Sequence, residues 1–178
     1  MDNIKLIAPC LFGVESIAAD EFRRMGFESV TAENGRVKLS GGINMLARAN
    51  ICSRYAERIM IDVGEFRAAT FTELFDGVKS LPWEDYIGKY DAFPVNGRSI
   101  DSALFSIPDC QSIVKKAIVE RLKQKYHISH FEETGAEYRV RFFIYKNVAS
   151  LMIDTSGEGL HKRCLLYTSP SPRDSTSS

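Results

Sequence analysis

The strongest constraint on this chain is its punctuation: over its first third, glycines and one Asn-Gly pair divide the sequence into segments too short for anything but single strands and three-turn helices. Ile4, Leu6 and Ala8 alternate as in a strand, and Val14, Ile17, Ala18, Phe22 and Met25 recur at helical spacing up to Gly26, a residue suited to a C-terminal cap. Glu28 to Thr31 and Arg36 to Leu39, on either side of Asn34-Gly35, predict a hairpin that Gly41-Gly42 closes. A second helix is expected from Ile43 to about Tyr55. A strand follows from Arg58 to Phe66, with Ile59, Ile61 and Val63 alternating with Met60 and Asp62.

This β-α-β-β-α-β order is the split βαβ, or ferredoxin-like, arrangement, and it predicts an α+β protein whose first domain fills residues 1–67. The pattern then restarts. Thr70 or Thr72 can cap a helix carrying Phe71, Leu74, Phe75 and Val78, stopped by Pro82, and Trp83 and Tyr86 follow on a short turn. Ala92 to Val95 reads as a strand, and Asn96-Gly97-Arg98-Ser99 as a loop. The next helix, Asp109 to about Tyr126, has Asp109 as its N-cap and an apolar stripe of Ile113, Val114, Ala117, Ile118 and Leu122, with Lys116 and Lys123 on the other face. Two strands, Tyr138 to Tyr145 and Val148 to Asp154, meet at Lys146-Asn147 and complete a second α/β domain over residues 68–160.

Composition narrows the class. With 44% hydrophobic and 26% charged residues the chain is globular rather than disordered, and no apolar run approaches the ~20 residues that cross a bilayer. Ile4 to Phe12 is too short for a secretory leader, so a cytoplasmic protein without a membrane partner is expected. Cys10, Cys52, Cys110 and Cys164 include no Cys-x-x-Cys pair and read as reduced, buried thiols. The net charge of zero argues against an indiscriminate nucleic-acid binder, but the charge is segregated. Lys115, Lys116, Arg121, Lys123 and Lys125 stand against Glu120 alone, whereas Phe71 to Asp91 is acidic in balance.

No constellation for catalysis stands out. Gly157-x-Gly159 completes neither a P-loop nor a dinucleotide fingerprint and reads as a turn. His127, His130, Glu132 and Glu133 lie in a polar connector and read as a solvated loop, so no metal is expected. Glu84-Asp85, beside Trp83, is explained by solvation and helix capping. RNA binding fits better. Arg98 and Ser99 precede a helix amino end that can seat a phosphate, although Asp109 competes for the same N–H groups. Lys115, Lys116 and Lys123 extend a sequence-independent field, and Arg139 and Arg141 alternate in phase with Phe143 and Tyr145, the mixture of cations and rings that single-stranded RNA favours. The competing reading is a protein-interaction module whose strand edges and aromatic residues dock a partner.

Three stretches carry a resemblance: Phe93-Pro94-Val95-Asn96-Gly97-Arg98-Ser99, Pro108-Asp109-Cys110-Gln111, and Asp154 through Arg163, joined by the opening Ala8-Pro9-Cys10-Leu11-Phe12-Gly13-Val14-Glu15. The chain resembles the THUMP-containing class I methyltransferases of bacterial 23S ribosomal RNA from Ile4 to Arg163. That resemblance implies a ferredoxin-like domain, a THUMP domain gripping structured RNA rather than DNA, and then a catalytic domain that uses S-adenosylmethionine to methylate a guanine amine. Only the first two are expected here, because nothing resembles the acidic-Pro-x-Cys-Gly-Ser-Gly donor loop or the Asn-Pro-Pro-Tyr motif. No cofactor and no catalytic residue is therefore expected in this chain. His161, Lys162 and Arg163 would begin the linker to the catalytic domain and touch RNA or orient the chain. Cys164 stands where the family continues with glycine. From Cys164 to Asp174 the sequence resembles the translated end of a transposon adapter used in preparing sequencing libraries, which implies that residues 164–178 are a disordered tail foreign to the protein.

Overall fold

The structure is a computed structural model that describes residues 3–128, 130–157 and 159–160. The expected linker residues His161, Lys162 and Arg163 and the expected foreign tail lie outside the described residues. The chain is α+β and divides into two compact units. One runs to Ile59 and resumes at Ser156, and the other spans Met60–Thr155.

In the first unit β1 (Ile4–Pro9) and β2 (Ser29–Glu33) flank β3 (Arg36–Gly41), each antiparallel to it. Leu6 stands opposite Leu39 and Ala8 opposite Val37, and all four are buried. Gly35 closes the β2–β3 hairpin at φ 72, in the left-handed region that glycine enters without a Cβ penalty. Helix α1 (Glu15–Arg24) buries Ala18, Ala19 and Phe22, and the Phe22 ring meets Phe27 edge-on at 5.6 Å. Ile17, expected in the apolar stripe, is instead 47% exposed. The small Ala19 takes the inward position because the helix packs closely there.

Helix α2 (Ile43–Cys52) stops before Tyr55. Glu21 of α1 explains the stop: its carboxylate accepts from the Ser53 hydroxyl at 3.0 Å and from the Arg54 N–H at 3.1 Å, drawing the chain out of helical geometry. Cys10 and Cys110 are buried, but Cys52 is exposed at this helix end, which corrects the expectation that the thiols are all interior. The chain returns to this unit after the second one. Ser156 Oγ accepts from the Ile59 N–H at 2.7 Å, Arg58 donates to the Gly157 carbonyl at 2.6 Å, and the Leu160 N–H donates to the Glu57 carbonyl at 2.9 Å.

The second unit is a four-stranded sheet in the order β4-β7-β6-β5. β4 (Met60–Arg67) runs antiparallel to β7 (Val148–Asp154), β7 antiparallel to β6 (Arg139–Tyr145), and β6 parallel to β5 (Val95–Ile100). A parallel pair needs a crossover, and helix α4 (Ile107–Tyr126) supplies it. Helix α3 (Phe71–Ser80) starts with a capping box: Thr70 Oγ1 accepts from the Glu73 N–H while the Glu73 carboxylate accepts from the Thr70 N–H. Helices α3 and α4 cover one sheet face. The core there gathers Leu74, Val78, Val114, Ala117, Ile118 and Leu122 against Val140, Phe142 and Ile144 of β6, with Trp83 buried among them and donating to the Val78 carbonyl at 2.7 Å.

Two expectations about this unit change. Asn96-Gly97-Arg98-Ser99 is strand rather than loop, because each residue finds a register partner from Arg141 to Ile144 on β6. Asp109 does not cap α4. Ser106 occupies the N-cap, Pro108 falls in the first turn, and Asp109 accepts from the Ser106 hydroxyl at 2.5 Å.

Candidate nucleic-acid interface

The second unit sorts the candidate residues by sheet face. Strand side chains alternate with period two, and register partners share a face. On β6, Val140, Phe142 and Ile144 are buried against the helices, whereas Arg139, Arg141, Phe143 and Tyr145 lie on the opposite face and are half-buried or exposed. β5 adds Asn96 beside Arg141, Arg98 beside Phe143 and Ile100 beside Tyr145, all three exposed. Arg98, Arg139 and Arg141 therefore share the helix-free face with Phe143 and Tyr145, exposed along β5 and at both ends of β6, whereas Ser150 and Met152 on that face of β7 are buried.

Ser99 is on the other side. It pairs with Ile144, and its hydroxyl oxygen is shielded from solvent without a hydrogen-bond partner, so it faces the helix-covered layer. Gly97 shares that side and approaches β6 closely. A Cβ built on it would fall 2.4 Å from the Phe142 carbonyl oxygen.

Cation by cation, the helix-free face is partly compensated. Arg141 donates to Asp154 at 2.9 Å, a carboxylate fully shielded from solvent, and Arg139 donates to Glu137 at 2.8 Å. Arg98 forms no ion pair among the described residues. Sequence reading missed Arg67 and Lys146 on this side. Arg67 and Tyr145 flank Val148 from opposite sides, and Lys146 holds its ammonium 5.1 Å from the Tyr145 ring centroid. No local signal announces Arg67, because only the pairing of β4 with β7 brings it there.

The lysines of α4 belong to the helix layer, behind the sheet from Arg98. Lys115 is spent on structure: its ammonium donates to the Phe93 carbonyl at 3.1 Å, contacts the Glu133 carboxylate, and sits 3.8 Å from the Phe93 ring centroid. Arg121 binds Glu84 through two N–H groups at 2.6 and 3.0 Å, and Lys125 lies 3.8 Å from the same carboxylate. The Arg121 hydrogen bonds hold the Glu84 carboxyl down at about 2, against the opposing effect of burial. The acidic and basic segments of the sequence are thus partners across the helix layer, and a Lys79–Glu120 pair at 3.2 Å adds to them. Lys116 and Lys123 form no ion pair among the described residues, and Lys116 lies 6.0 Å from the Phe75 ring centroid.

The histidine cluster loses Glu133 but otherwise stays together. His127 takes φ 53 as the C-cap of α4, Glu133 is occupied by Lys115, and His127, His130 and Glu132 line a shallow cleft with Lys89 and Tyr90. Among the described residues, no three His, Cys, Asp or Glu side chains gather as a metal site, and no helix is long and apolar enough to cross a membrane. The glycine turns do not form an open anion nest either, since the Gly13 N–H is taken by Glu15 at 2.8 Å and the Gly35 N–H by the same carboxylate at 2.9 Å.

Comparison with known proteins matches this architecture. Residues 5–60 match the RlmL ferredoxin-like domain and residues 68–154 the THUMP domain. The fold is thus that of a THUMP protein with a ferredoxin-like partner. YpsC of Bacillus subtilis (strain 168), named for RNA methyltransferase activity, is 44% identical over 165 residues, covering 92% of this chain and 43% of that protein. The ribosomal RNA large subunit methyltransferase K/L of Aeromonas salmonicida (strain A449) is 26% identical over 160 residues, covering 89% of this chain and 22% of that protein. Among solved structures, a Listeria monocytogenes protein described as an N6-adenine-specific DNA methylase superposes with TM-score 0.90 at 45% identity, over 96% of this chain and 45% of its own. SMU.472, a methyltransferase-class protein solved with SAH, superposes with TM-score 0.88 at 40% identity, over 92% of this chain and 44% of its own. The chain carries an RlmL-type ferredoxin-like domain and a THUMP domain, and it spans less than half the length of each of these relatives.

Proposed function

We propose that this chain is the RNA-gripping part of a larger, cytoplasmic, S-adenosylmethionine-dependent methyltransferase that acts on 23S ribosomal RNA. In this reading the ferredoxin-like domain spans residues 1–67, the THUMP domain 68–160 and the start of the linker 161–163. The observation that carries it is the collection of Arg98, Arg139 and Arg141 with two aromatic rings on the helix-free sheet face of the THUMP domain. Cations beside rings on a strand surface suit RNA, whose phosphates the cations contact while unpaired bases stack. The family relation supplies the substrate class, and the name of the Aeromonas relative supports ribosomal RNA.

Within this reading Arg98 is the leading phosphate contact, because no carboxylate among the described residues neutralises it. Arg139 and Arg141 lend part of their charge, and His161, Lys162 and Arg163 follow at the linker. Lys116 and Lys123 act from behind the sheet as a long-range field, and Lys115 and Ser99 serve the fold. The Gly13 and Gly35 N–H groups are taken by Glu15, so neither of these two turns offers an anion nest to a methyl donor. Donor binding and methyl transfer belong to the remainder of the parent protein.

Binding of the chain to structured ribosomal RNA fragments at several salt concentrations tests this. Arg98→Ala should weaken binding and reduce the salt slope by about 1, the signature of one lost phosphate contact, whereas Lys116→Ala and Lys123→Ala should do less. No binding at low salt would overturn the reading in favour of a protein-interaction module.

A further inference from the structure

Phe143 and Tyr145 stand two residues apart on β6, outward from the core, with ring planes 10° from parallel and centroids 6.3 Å apart. That separation lies at the wide end of the range for an offset ring pair. It is close to twice the ~3.4 Å rise of stacked bases, the gap that admits one planar ring between two others. The spacing follows from the strand, whose i and i+2 side chains are separated by about 6.6 Å. Tyr145 is 43% exposed, so its side chain has room to open the remaining few tenths of an ångström.

The surroundings suit a base that brings its phosphates. Arg98 lies across from Phe143, Arg67 is separated from Tyr145 by Val148 alone, and Lys146 holds its ammonium over the Tyr145 ring. Arg67, Arg98 and Lys146 form no ion pair among the described residues. The neighbouring acids are Glu65, which accepts from the Ser150 hydroxyl at 3.1 Å, and the exposed Asp101 that follows Ile100. Ile100, 48% exposed beside Tyr145, adds an apolar edge for a sugar or a neighbouring base.

We infer that Phe143 and Tyr145 form a clamp for one unpaired nucleobase of RNA, with Arg67, Arg98 and Lys146 holding the flanking phosphates. The inference rests on the RNA-binding reading and adds to it a preference for single-stranded over duplex RNA at this face. Stacking between two side chains is largely indifferent to base identity, so the clamp selects unpaired structure rather than sequence.

The test uses the full chain and a short single-stranded RNA with 2-aminopurine at its centre, whose emission falls when the base stacks. Emission should fall on binding to the unaltered protein. Tyr145→Ala and Phe143→Leu should abolish that fall and weaken binding about tenfold, the size expected for one lost stacking partner, with the salt slope unchanged. Tyr145→Trp should restore both, and circular dichroism should show each variant folded. Salt-sensitive binding with unchanged emission in the unaltered protein would overturn the clamp and leave RNA binding standing. Binding to neither single-stranded nor structured RNA at low salt would sink the RNA reading, and the clamp with it.

Discussion

Arg98 and Ser99 are neighbours in sequence and lie on opposite faces of the same sheet. Arg98 pairs with Phe143 on the open side, while Ser99 pairs with Ile144 and keeps its hydroxyl shielded and unpartnered on the helix-covered side. A strand permits nothing else, since successive side chains alternate. Ser99→Ala should therefore leave RNA affinity unchanged and raise stability by up to about 1 kcal/mol, because it removes an unsatisfied hydroxyl. A urea melt and an RNA titration of this variant beside Arg98→Ala check the point. Loss of binding in Ser99→Ala would place the contact on the helix side.

Glu84 gives the second unit an acid-sensitive anchor. Its side chain is 10% exposed and its carboxyl is held at about 2 against an ordinary 4.5, chiefly by Arg121. A depressed carboxyl stabilises the fold above its unfolded pKa, and that stability is lost as pH falls through the folded one. The contribution, about 2–3 kcal/mol, should be complete above roughly pH 5 and decline between pH 5 and 2. Arg121→Ala should lower stability at pH 7 and flatten that decline, measured by urea melts across the range.

Gly97 is required by proximity to β6. A Cβ at this position would stand within 2.5 Å of both the carbonyl and the ring of Phe142, so Gly97→Ala forces β5 away from β6. A loss of about 2–3 kcal/mol is expected from such overpacking. Emission from Trp83, the single tryptophan of the chain and buried in this unit, reports the shift in the unfolding midpoint.

The Thr70 capping box offers a milder perturbation. Thr70→Ala removes the acceptor for the Glu73 N–H and should cost about 1 kcal/mol, with RNA binding unaffected. Trp83 emission in urea measures it, and an unchanged midpoint would show that Glu73 alone holds the start of α3.

Local chemistry was legible where a rule acts over a few residues. The Asn34-Gly35 hairpin, the Thr70 cap and the Lys146-Asn147 turn all form, and Arg139, Arg141, Phe143 and Tyr145 share one face because alternation alone assigns them. The loop expected at Asn96 to Ser99 was misread because glycine, asparagine and serine favour turns locally. Its strand conformation comes from parallel pairing with residues more than forty positions away.

The sequence by itself determined the element order, the α+β class and the outward set on β6, since each follows from periodicity and turn chemistry within a short window. Tertiary structure alone decided which cations remain free. Glu84, Glu133 and Asp154 neutralise Arg121, Lys115 and Arg141 from elsewhere in the chain, while Arg67 and Lys146 join Arg98 beside the two rings. The physical reason is that charge compensation depends on distance in space, and pairings such as Lys115 with Glu133 or Arg121 with Glu84 have no sequence period to betray them.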